Sequence, residues 1–136
     1  MYTLTLVTPD KKILTDEAIA EVIVPAYMGE LNILPGHAPL MTTLSTGILQ
    51  YKLAGSTHFH KVAISWGYCQ VFPGGVNVLA ETAESSEEID LERVRVARHR
   101  AEKEVARMDI DSQTRDKYYA KLRRAEVREQ VAKQGH

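Results

Sequence analysis

The chain has 136 residues, enough for one ordinary domain or a small domain with an appendage and too few for a large catalytic architecture. With 44% hydrophobic and 26% charged residues it has the balance of a folded globular protein, which excludes disordered and fibrous classes. A net charge of −1 gives no electrostatic reason to expect nucleic acid as a partner.

The first residues, 2–8, alternate like a strand and show no basic region followed by a hydrophobic block, so no export signal is expected. Alternating runs at 18–24, 48–53, 59–66, 68–72 and 76–80 predict further strands. Pro9-Asp10, Leu34-Pro35-Gly36, Ala54-Gly55-Ser56 and Pro73-Gly74-Gly75 separate them and supply the φ values that tight turns need. Short strands with regular turns predict a sandwich or flattened barrel. The apolar stretches, such as 19–28 with Glu21 inside it, fall short of a membrane span. Within residues 29–40, Pro35, Gly36 and Pro39 predict a stiff double turn that His37 is placed to tie by hydrogen bonds. Cys69 is the only cysteine, which leaves no intrachain disulfide and predicts a small buried hydrophobe in a reducing compartment.

The chain changes character after Glu84. All five prolines precede it, and every arginine, Arg93 to Arg128, follows it. Val94, Ala97, Ala101, Val105 and Met108 recur at helical spacing, and Ser85 with Glu88 predicts a capping box before them. Asp111 or Ser112 is expected to cap a second helix, with one face at Tyr118, Leu122 and Ala125 and another at Tyr119, Val127 and Val131. Two helices so closely joined form an antiparallel hairpin, and the many alanines predict weak docking and two possible arrangements. Glu92–Arg95 and Glu104–Arg107 are expected to pair along the first helix.

No Walker-type phosphate loop, nucleophile elbow or HExxH pair occurs. His58 and His60 share one side of a strand at metal-ligand spacing without a third ligand, so no metal is expected.

Residues 29–47, beginning Gly29-Glu-Leu-Asn-Ile-Leu-Pro-Gly-His-Ala-Pro-Leu40, resemble the GELGILPGHxPLxxxLxxG signature of the epsilon subunits of F-type ATP synthases. Val7-Thr-Pro-Asp10 and Leu79-Ala-Glu-Thr-Ala-Glu84 resemble the start and end of that family's sandwich, so the likeness covers essentially the whole chain. Ser65-Trp66-Gly67 departs from the Ser-Gly-Gly of many relatives and leaves the fold expectation intact; Trp66 is expected either in the sandwich or against the stalk.

The resemblance implies an α+β protein: a β-sandwich over residues 1–84 and a regulatory helical hairpin over 85–136. It implies a non-catalytic rotor subunit whose sandwich meets the gamma subunit and the ring of c subunits, with Glu30 and His37 as ring or stalk contacts. The hairpin would extend toward the catalytic alpha and beta subunits to restrain ATP hydrolysis. The location implied is peripheral, on the cytoplasmic face of a bacterial inner membrane or the stromal face of a thylakoid.

Ile89-Asp90-Leu-Glu-Arg93-Val94 resembles the family's [IL]DxxRA nucleotide motif, with Val94 replacing Ala. Carried over position by position, the ATP site is Glu84, Ile89, Asp90, Arg93, Val94, Arg100, Arg124 and Arg128, with ATP as a regulatory ligand and no cofactor required. Arginines converging from two helices suit a triphosphate without a glycine loop. Two rivals stay open: a free-standing ATP sensor built on the hairpin, and a small enzyme using Glu30, His37 or the histidine pair.

Overall fold

The structure, a computed structural model, describes residues 2–134; Met1, Gly135 and His136, at the ends of the two expected parts, lie outside the described residues. Seven strands precede two helices: β1 Thr3–Val7, β2 Lys12–Ala26, β3 Gly29–Ile33, β4 Leu40–Leu44, β5 Gly47–Leu53, β6 Phe59–Phe72, β7 Gly75–Ser85, α1 Leu91–Val105 and α2 Ser112–Gln134. The α+β architecture expected from the turn spacing and the later helical period is the one found.

β1 pairs antiparallel with β2 and parallel with β7, and β6 joins β7 to β4 and β5, so the sheet closes into a flattened barrel. The core is aliphatic, with Leu4, Leu6, Val22, Val24, Ile33, Leu49, Ile64, Val76 and Val78 all but removed from solvent. Cys69 lies among them with a free thiol.

The long strands serve both layers of the sandwich by changing which side chains point inward. On β6 the core residues are Val62 and Ile64, then Cys69 and Val71; on β7 they are Val76, Val78 and Ala80, then Ala83. The alternation shifts by one residue in between, as a local twist in a strand pair requires. Trp66 sits at that shift with φ of 50°, a left-handed backbone that disfavours any side chain. A Cβ on the next residue, Gly67, would collide with the carbonyl oxygen of Leu79. The one departure from Ser-Gly-Gly therefore falls where the backbone favours glycine.

Residues 59–66 and 68–72, expected as two strands, are one strand bent at Trp66. β3 and β4 flank the expected double turn and were not anticipated, because the Pro and Gly signals of residues 34–39 mask the five-residue strands on either side. In that turn the His37 amide donates to the Leu34 carbonyl at 3.1 Å, and its Nδ1 lies 2.8 Å from the Ala38 oxygen.

The Ser85–Glu88 box forms, with the Ser85 amide donating to Glu88 Oε1 at 3.1 Å, but it closes a 3-10 turn, Ser86–Glu88, rather than α1. Asp90 caps α1 instead, its Oδ1 accepting from the amides of Glu92 and Arg93. Asp111, of the two expected alternatives, caps α2 through the Thr114 amide at 2.7 Å. The pairs Glu92–Arg95 and Glu104–Arg107 both form.

The hairpin docks through α2. Val127, Val131, Ala132 and Ala125 join Ile89, Val94 and Ala63 of β6 in a second buried cluster, with Ile48 of β5 against it. α1 packs on α2. Its expected apolar face holds at Val94 and Ala101, whereas Met108 lies beyond the helix and is 96% exposed; Tyr119 of α2 also faces solvent.

Candidate functional site

The residues expected to bind a triphosphate divide into two groups. Arg93 and Arg100 stand seven positions apart on α1, Arg124 and Arg128 four apart on α2, and all four line one open cleft of about 600 Å³ between the helices. Ala97, Ala101 and Ala125 form its floor, small enough to let the helices approach, while Tyr118 and Val96 add apolar walls. Lys121 contributes a fifth cation and Glu92 the sole lining carboxylate.

Glu84, Ile89, Asp90 and Val94 stand outside that lining. Ile89 and Val94 are buried in the cluster beneath the hairpin, so the extra methyl groups of Val94 fill that core. The Asp90 carboxylate is committed to the N-terminus of α1. Glu84, at the end of β7, grips Arg128: Nη2 donates to Oε2 at 3.0 Å, and Nε lies 2.8 Å from Oε1 in ionic contact off the hydrogen-bond direction. The Nε of Arg124 is buried without a hydrogen-bond partner among the described residues.

This is a cationic, partly apolar groove suited to a polyanion carrying a flat apolar group. Lys121 was not anticipated, although its spacing of three and seven from Arg124 and Arg128 puts it on the same helical face.

Glu30 and His37 are held apart. Glu30 opens β3 opposite Pro25, in a cleft that also takes Arg123 and Gln130 of α2. His37 lies in the turn beyond the far end of β3, so the rest of that strand, Glu30 to Ile33 with a rise of about 10 Å, comes between them. The imidazoles of His58 and His60 meet edge to face at 5.0 Å, and His60 stacks on Tyr51. Among the described residues no three His, Cys, Asp or Glu side chains form a metal-binding group.

Trp66 and Tyr68 are 56% and 58% exposed, and Leu79 and Met41 are exposed beside them, around clefts that no residue of α2 lines. Shallow clefts of about 460 and 530 Å³ adjoin them. Exposed aromatic and aliphatic side chains grouped in this way are characteristic of interaction surfaces.

Residues 1–86 match the family described as ATP synthase, Delta/Epsilon chain, beta-sandwich domain. The chain is 44% identical over 127 residues to an ATP synthase epsilon chain of Citrifermentans bemidjiense, which covers 93% of this chain and 90% of that one. It belongs to the ATP synthase epsilon family. An epsilon chain of Bdellovibrio bacteriovorus is 60% identical over 89 residues, 65% of this chain and 64% of its own length. Among solved structures, a chain of the Euglena gracilis mitochondrial ATP synthase, in an OSCP/F1/c-ring assembly, superposes with a TM-score of 0.82 at 28% identity, covering 92% of this epsilon-family chain and 77% of its own. A central stalk and c-ring structure from Tetrahymena thermophila shares the fold, with a TM-score of 0.61 at 20% identity. No helix among the described residues is long and apolar enough to cross a membrane.

Proposed function

We propose that this chain is a non-catalytic rotor subunit of a proton-translocating F-type ATP synthase. On this reading its sandwich joins the gamma subunit to the c-ring, and its hairpin restrains ATP hydrolysis under the control of bound nucleotide. The observation that carries the reading is the match of both parts of the chain, 93% of its length, to ATP synthase epsilon chains.

The exposed face around Trp66, Tyr68, Leu79 and Met41 supports docking to gamma, since a large apolar face calls for a partner. The His37 turn leads through Leu40 into Met41 on that face, which suits a stalk contact. Glu30, at the opposite end of β3, suits the ring. The hairpin rests on the sandwich chiefly through α2, with Val94 of α1 and Ile89 in the same small cluster, an attachment small enough to be reversible; released, its basic helices would meet the acidic surfaces of the catalytic alpha and beta subunits. The bacterial relatives favour a peripheral site on the cytoplasmic face of an inner membrane.

ATP is the regulatory ligand on this reading, held by Arg93, Arg100, Arg124 and Arg128, with Glu84 and Asp90 at the margin. Only the closed hairpin brings the arginines of the two helices together, so ATP binding stabilises the closed form. The test is a synthase assembled with a chain ending at Ser85. Coupled synthesis should persist while ATP hydrolysis rises. Unchanged hydrolysis in a normally assembled complex would refute inhibition by the hairpin, and an absence of binding heat at millimolar ATP would refute nucleotide sensing.

A further inference from the structure

Glu129 of α2 is only 5% exposed, an unusual degree of burial for a carboxylate. Its Oε2 lies 2.8 Å from Arg98 Nη1, and its Oε1 lies 2.9 Å from Lys133 Nζ and 3.9 Å from Arg95 Nε. Arg95 and Arg98 belong to α1. Long side chains from both helices thus seal the carboxylate. Among the described residues, the two ion pairs that bridge α1 to α2 both end on it.

Closing the hairpin draws together the cations of the cleft and, outside it, Arg95, Arg98 and Lys133. That gathering of like charge opposes closure. Glu129 does not line the cleft, so it acts on the balance between open and closed hairpin without touching a ligand there.

We infer that Glu129 is a latch that holds the hairpin closed in the absence of nucleotide and thereby sets the nucleotide level to which the cleft responds. The inference rests on the two-state, nucleotide-sensing reading above. Its physical basis is that a ligand binding only the closed form shows an apparent dissociation constant equal to the intrinsic one divided by the closed fraction. Glu129→Gln removes the one counter-charge that α2 offers to Arg95 and Arg98, which are partly exposed and, among the described residues, keep only their partners on α1, Glu92 and Glu102. Replacing Glu129 and Arg98 together by apolar groups instead removes the ion pair with its desolvation cost.

The test uses the full chain, with amide hydrogen exchange across both helices and calorimetric titration with ATP. Glu129→Gln should speed exchange in α1 and α2 at least about tenfold without nucleotide, lower the apparent ATP affinity by a similar factor, and regain normal protection at saturating ATP. The paired change Glu129→Leu with Arg98→Met should restore protection. Unaltered exchange in the sandwich strands is the control for folding. If Glu129→Gln leaves helix exchange and affinity within about twofold of the parent chain, the latch is overturned. If helix exchange rises while the parent chain gives no heat with ATP, the latch stands and the nucleotide reading falls.

Discussion

The carboxylate of Glu84 meets the guanidinium of Arg128 at two points, which fastens the last strand to the second helix across 44 positions of sequence. Both residues belong to the site inferred for a triphosphate, so in the ligand-free chain they already satisfy one another. A nucleotide entering the cleft must share Arg128 with Glu84 or displace it. Because the pair is partly exposed, a double-mutant cycle of Glu84→Gln and Arg128→Met should give a coupling of about 1 kcal/mol or less, falling with added salt. A coupling independent of salt would contradict an ionic hold.

Trp66 combines an adverse backbone with an exposed side chain. Trp66→Gly relieves roughly 1–2 kcal/mol of left-handed strain, offset by greater freedom of the unfolded chain and by lost apolar contact. Urea unfolding of the isolated chain should therefore shift by less than about 1 kcal/mol. Affinity for the stalk partner should fall at least about tenfold if the indole anchors that contact. Unimpaired assembly would remove Trp66 from the interface.

Glu30→Lys reverses a charge at the open end of β3, where an exposed group contributes little to folding. Melting should change by no more than a few degrees, while proton pumping per ATP hydrolysed declines in the assembled complex. Undiminished pumping would place the ring contact elsewhere.

The carboxyls of Glu88 and Glu129 are held below the ordinary value of 4.5. For Glu88 the cause is chiefly Lys11, 2.6 Å away; for Glu129 it is chiefly Lys133, then Arg98 and Arg95, against the opposing effect of burial. A depressed folded pKa gives stability that is present above 4.5 and lost as pH falls through the folded value. Hydrogen exchange in the helices should thus rise as pH drops below 4.5, after correction for the intrinsic rate, while the aliphatic core of the sandwich keeps its protection. Helix protection that stays constant down to pH 3 would show that neither carboxylate matters to docking.

Burial pushes the Cys69 thiol up to about 11 from an ordinary 9.0. The raised value favours the neutral thiol, so its contribution to stability is complete below pH 9.0 and fades as pH rises toward 11. Alkylation at pH 8 should be at least about a hundredfold slower than in the urea-unfolded chain, since both thiolate fraction and access are reduced. Equal rates would mean that β6 opens readily.

Much of this fold is legible in residue order because its signals are local. Period-two runs mark β1, β2, β5, β6 and β7, and period three-to-four marks the helices, where Val94, Ala101, Val127 and Val131 carry the packing. β3 and β4 were hidden by the prolines and glycine between them. The four arginines of the cleft could be grouped from the family motif and from helical spacing. Glu129 could not, because its burial depends on three cations from two helices and no pattern within either helix announces it. Nor does the sequence around Trp66 show that its backbone turns left-handed; that follows from the strand pair changing layers.

The contacts of α2 with the sandwich cluster at Ala125, Val127, Val131 and Ala132, in the last turns of that helix, while the half of α2 that begins at Ser112 projects beyond them with α1. The hairpin is therefore a cantilever clamped at its last turns. The overhang from Ser112 to Ala125 is about 20 Å and the clamp from Ala125 to Ala132 about 10 Å at 1.5 Å per residue. A sideways push on the hairpin tip by a neighbouring subunit acts on its seat with a mechanical advantage of roughly two. The last turns of α2 thus govern how much force frees the whole arm.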